Sequence, residues 1–127
     1  MAIKTEEQYT GEFILTESPG ELSRDNVTVT VPASTKLQPG FVLGKITADG
    51  NYAPYDNDNT DGTEAAAGVL YGEIDNSASE SAADFEAVII NAVAEVRKAD
   101  LQWGSGVLDA EKTAAYADLA ALFVKAR

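Results

Sequence analysis

Asp56-Asn57-Asp58-Asn59-Thr60-Asp61-Gly62 is the densest set of oxygen ligands in the chain. Hard divalent cations want several closely spaced carboxylates and carbonyls, so a calcium loop is the first chemistry to test. The glycine falls one place late for an EF-hand, and Ala67 stands where the bidentate Glu would be needed. The run therefore reads as an Asx-rich turn, stabilised by Asp and Asn side chains bonding to their own backbone. Gly40-Phe41-Val42-Leu43-Gly44-Lys45 has the outline of a phosphate-binding loop. It is one residue short, Ile46 replaces the Ser or Thr that would hold magnesium, and it lies within a predicted strand. Histidine and cysteine are both absent, which leaves only Lys as a nitrogen base for an activated Ser or Thr. Paired carboxylates remain as candidate acid and base, supported by nothing beyond the abundance of Asp and Glu. No enzyme activity, metal or cofactor is expected. Asn26-Val27-Thr28 matches a glycosylation sequon, which is irrelevant if the chain never enters a secretory pathway.

Whatever these residues do must be positioned by one small scaffold. A chain of 127 residues, 45% of them apolar, supports a single domain that buries about two thirds of its unfolded surface. The net charge of −12 disfavours polyanionic partners, so neither nucleic acid nor anionic membrane is expected to bind. The charge is unevenly placed, since no Lys or Arg lies between Lys45 and Arg97, whereas eleven Asp and Glu do. That block reads as a solvated acidic surface, or as a face turned toward a basic partner. Without cysteine there is no disulfide framework. The residues MAIKTEEQYTGEF contain no apolar core of signal-peptide length, and no segment reaches the roughly 18 apolar residues of a membrane span. A soluble protein that starts its life in the cytoplasm is expected.

Residues 1–8 are polar and read as a mobile tail. Tyr9, Gly11, Phe13 and Leu15 then alternate with Thr10, Glu12, Ile14 and Thr16, which predicts an extended strand stopped by Ser18-Pro19-Gly20. Val27, Val29 and Val31 alternate with Thr28 and Thr30 in the most regular β pattern of the chain. Residues 42–47 and 51–55 flank Asp49-Gly50 and predict a hairpin, with Gly44 marking a bulge or a close backbone approach. Residues 65–71 predict a buried run of small residues, 76–83 a surface excursion, and 85–96 one long strand. The last segment is helical: Asp109 is a plausible N-cap, alanines fill most positions, and Tyr116, Leu119 and Phe123, with Leu122 beside them, form an i, i+3, i+7 stripe to pack on the sheet. Trp103 reads as core or edge packing, with an interface anchor as its functional alternative. The fold class is α+β, mainly β: a small barrel-like domain over 18–127, with an extended, flexible N-terminal arm over 1–17 and a C-terminal helix.

Three blocks in order carry a resemblance. Ser23-Arg24-Asp25-Asn26-Val27-Thr28-Val29, then LQPGFVLGK over 37–45, then Asp61-Gly62-Thr63-Glu64-Ala65-Ala66-Ala67-Gly68-Val69-Leu70 are similar to the bacteriophage lambda head decoration protein D family, a similarity running from about Ser23 to Trp103. The resemblance implies a non-enzymatic protein made in the host cytoplasm and carried on the outer surface of the capsid. It implies a homotrimer at local threefold positions of the expanded head, where it stabilises the major capsid protein lattice. It also implies that the arm orders on binding, which assigns capsid contact to Tyr9, Thr10, Gly11, Glu12, Phe13, Ile14 and Leu15; a capsid strand would pair there through main-chain hydrogen bonds. The competing expectation is a small β-rich ligand-binding or carrier domain, monomeric and with a concave pocket, suggested by the hairpin around VLGKI.

Overall fold

The computed structural model describes residues 9–17 and 23–127. In chain order its elements are β1 (Ile14–Glu17), β2 (Arg24–Val31), β3 (Thr35–Leu37), β4 (Val42–Lys45), β5 (Tyr52–Pro54), β6 (Ala66–Leu70), β7 (Ile74–Asn76), β8 (Ala83–Ile90), β9 (Ala94–Val96), α1 (Asp109–Ala121) and β10 (Val124–Ala126). Strands β2, β5, β4, β6 and β8 close a five-stranded barrel in that order. The mainly β fold with one C-terminal helix is as the sequence predicts.

Alternation explains the barrel. Val29 and Val31 of β2, Leu43 of β4, Tyr52 of β5, Leu70 of β6 and Ile89 of β8 join one buried cluster, which Leu37 and Ile74 extend. Their chain neighbours Val42, Val69 and Ile90 belong to a second cluster with Phe13, Val96, Leu101, Ala115, Leu119 and Val124. Successive strand residues point to opposite faces, so β4, β6 and β8 are apolar on both sides where their neighbours cover them. That is why these segments read as unbroken apolar runs. The expected hairpin forms, with β4 antiparallel to β5 through Leu43↔Pro54, Gly44↔Ala53 and Lys45↔Tyr52. Gly44 is both things anticipated of it: the β4–β6 register slips between Leu43 and Gly44, and a Cβ there would meet the Thr63 Cα at 2.5 Å.

Other expectations are corrected. The strand predicted over 85–96 breaks at Val93, whose φ is +41°. Its first part, β8, pairs with β2 along eight residues. Its last part leaves the barrel as β9, the centre of a separate three-stranded sheet in the order β1, β9, β10. The alternating strand predicted from Tyr9 also starts late. Residues 10–13 form turns, in which Glu12 N–H donates to the Tyr9 carbonyl at 3.1 Å and Ile14 N–H to the Gly11 carbonyl at 3.1 Å. Gly11 takes φ +72° there, which a glycine adopts without steric cost. Helix α1 begins at Asp109, with Leu108 in the N-cap position in its place, and Phe123 lies beyond the helix end, 76% exposed. Ala115 and Leu119 are the buried helix residues, and Tyr116 and Leu122 pack partly against them. Finally, the excursion over 76–83 opens inside β7, which pairs antiparallel with β3. No helix among the described residues is long and apolar enough to cross a membrane.

Candidate functional site

The N-terminal segment is tied to the body through a few deliberate contacts. Gly11 N–H donates to the Tyr71 carbonyl at 3.2 Å, and Arg97 N–H to the Phe13 carbonyl at 2.8 Å. The Phe13 side chain is fully buried in the cluster that also receives the helix. Burying an aromatic of this size contributes about 2–3 kcal/mol. Thr10, Glu12, Leu15 and Thr16 remain on the surface, as does Tyr9. The seven arm residues therefore divide: Phe13 packs inward, Gly11 shapes a turn against Tyr71, and Ile14 and Leu15 begin β1.

At the other end of β1, Glu17 accepts from Arg24 Nη2 at 2.5 Å and from Ser23 Oγ at 2.6 Å. The Arg24 guanidinium lies 4.2 Å from the centre of the Tyr71 ring. The hydrogen bond from Arg24, above all, holds the Glu17 carboxyl below its ordinary value, against the opposing effect of burial. The same bond pushes the Arg24 guanidinium up. Among the described residues β1 pairs with β9 alone, through Ile14↔Val96, Thr16↔Glu95 and Glu17↔Ala94, and no described strand lies along its other edge.

Trp103 is half-buried between two tyrosines. Its ring meets Tyr55 edge-on at 6.1 Å and Tyr116 at 5.7 Å, which joins α1 to the strand side of the structure. The Tyr55 hydroxyl donates to the Glu111 carbonyl at 2.8 Å, and burial raises its pKa. The packing role expected of Trp103 is visible here.

The acidic loop is built from Asx turns. Asp58 N–H donates to Asp56 Oδ1 at 3.0 Å, and Thr63 N–H to Asp61 Oδ1 at 3.1 Å. The Thr63 hydroxyl, again bonded to Asp61, is the main reason that carboxyl lies below its ordinary value. One arrangement could not be read from the loop itself: Glu111, from the first turn of α1, brings a carboxylate oxygen within 4.8 Å of Asp56 and Asp58. Three carboxylates at that separation are the described residues' candidate set for a cation. Local spacing missed them because one ligand comes from an element about fifty residues on.

The sequence pattern did not single out Val93, and it assigned Phe123 to the packed helix stripe, which the exposure of Phe123 corrects. Both are exposed and both have positive φ, +41° and +64°. They flank a shallow groove of about 300 Å³, beside Thr16 and Glu17 of β1 and Lys125 of β10.

The family model for the bacteriophage lambda head decoration protein D matches residues 3–124. The chain belongs to this family of phage head decoration proteins. It matches no individual curated protein at a significant level. Membership makes it a component of the phage head, in a family that is structural in its known role.

Proposed function

We propose that the protein binds as a homotrimer at local threefold positions of the expanded head and holds neighbouring major capsid protein subunits together from outside. Residues 1–17 carry the contact, and the outer edge of β1 receives a strand of the capsid protein. The observation that supports this most directly is that edge: among the described residues Ile14–Glu17 has a strand neighbour on one side only, the arrangement that strand addition requires. A trimer presents three such edges at once, so contacts that are weak singly combine through effective concentration. A protein that binds only the mature lattice stabilises that lattice by mass action. The charge of −12 keeps the free chain soluble and disfavours contact with packaged DNA.

Removing residues 1–17 would delete Phe13 from the core, so the cleaner experiment removes residues 1–8. The shortened chain is expected to keep its thermal midpoint and to bind purified undecorated heads with fewer copies per threefold site. Saturation of heads at the full-length protein's concentration would remove residues 1–8 from the contact.

A further inference from the structure

The groove at the end of the three-stranded sheet deepens that reading and rests on it. We propose that this groove, flanked by Val93 and Phe123, takes up an apolar side chain from the same capsid protein segment that pairs with β1. Strands β9 and β10 run parallel with Val124 opposite Ala94. Val93 and Phe123 are the residues just before that pair, and Ala94 N–H donates to the Phe123 carbonyl at 3.1 Å. The two side chains therefore stand together at one end of the sheet.

Both backbones are in the left-handed region, where a Cβ crowds the following carbonyl and a β-branched residue is a true outlier. Phe123 also occupies the reversal after α1, a position that helices usually give to glycine. Elsewhere among the described residues positive φ falls on Gly11, Gly40, Gly50 and Gly62 and on the small Ser34. At these two sites the strain is accepted and a large apolar side chain is held into solvent, 47% exposed at Val93 and 76% at Phe123. Strain that packing does not reward is characteristic of binding sites.

The groove's position names its occupant. One wall is Thr16 and Glu17, on the strand that has no described neighbour along its outer edge, so a segment laid along β1 passes beside it. A second copy of this chain fits less well, because a stable subunit interface buries about 800 Å² per partner around a contiguous apolar centre. Here two apolar side chains are interrupted by Glu17, Glu95 and Lys125, an arrangement suited to one anchoring side chain under a mixed rim. The ligand is thus an extended segment of the major capsid protein with an aliphatic or aromatic residue at the anchoring position.

The test replaces both residues by glycine, which relieves the left-handed strain while removing the side chains. Full-length protein carrying Val93→Gly and Phe123→Gly is expected to keep its thermal midpoint and its oligomeric state, and to bind undecorated heads about tenfold or more weakly. Phe123→Leu, still apolar, is expected to bind nearly as the parent does. Unchanged head binding by the double variant overturns the inference and leaves the decoration reading standing. Loss of the oligomer in sedimentation also overturns it, assigning the groove to contact between copies. Failure of the parent protein to bind heads at all sinks both readings together.

Discussion

Glu17 is the residue on which the attachment of β1 depends most visibly. Its carboxylate joins the end of that strand to Ser23 and Arg24 at the start of the barrel. The folded state lowers its pKa from an ordinary 4.5, so the unfolded chain binds the proton more tightly. The resulting stability is fully present above about pH 4.5 and is lost as pH falls through the depressed folded value. Glu17→Gln should therefore lower the thermal midpoint at pH 7, by the equivalent of about 1 kcal/mol or less because the pair is partly solvated. The two proteins should converge as the pH drops toward 3. A gap that persisted in acid would mean that the side chain acts through packing and not through its charge. Residue-scale chemistry was legible where it was local. The Asx turns at Asp56 and Asp61 follow from residue type and spacing, as does the failure of the EF-hand pattern. The approach of Glu111 to that loop, and the left-handed backbones of Val93 and Phe123, depend on distant neighbours and leave no local mark.

Elements show the same division. Strand β2, the β4–β5 hairpin, β6 and α1 announce themselves through alternation, a turn dipeptide or a run of alanines. Of the three-residue strands only β5 is announced, by the turn dipeptide before it; β3, β7, β9 and β10 are too short for any period to register, and they exist because a partner is there to pair with. Asn76 illustrates what the polar stretch after β7 hides. Its side chain is buried, 5% exposed, and its amide nitrogen lies at 3.3, 3.0 and 3.2 Å from the carbonyls of Val31, Pro32 and Ser81. One side chain thus fastens β7 and the loop after it to the end of β2. Asn76→Ala removes the buried donor that faces the Val31 carbonyl, and an unsatisfied buried group costs about 1–3 kcal/mol. Urea unfolding of the variant should show a loss in that range, with local hydrogen exchange rising around Ser34, whose N–H bonds to the Ser79 carbonyl at 2.8 Å. A change below about 0.5 kcal/mol, the usual size for surface substitutions, would show that the stretch is as solvated as its composition suggests.

At the scale of the molecule, the two buried clusters use opposite faces of the same strands. Val42 and Leu43, Val69 and Leu70, and Ile89 and Ile90 each place one side chain in either cluster. Helix α1 and the sheet containing β1 therefore cannot be lost without exposing one face of β4, β6 and β8, which argues for one cooperative transition. Trp103 is the chain's single tryptophan and sits where α1 meets Tyr55, so its fluorescence reports that junction. Its urea transition should coincide with that of far-UV circular dichroism. Leu119→Ala, which empties a fully buried site on the helix, should shift both probes together by about 2–5 kcal/mol. If the fluorescence change came first, the helix would be separating from an intact barrel. The same measurement bears on assembly, because a folded homotrimer that dissociates on unfolding is stabilised by mass action. The midpoint is then expected to rise with chain concentration, and a midpoint constant over a hundredfold range would contradict the trimer.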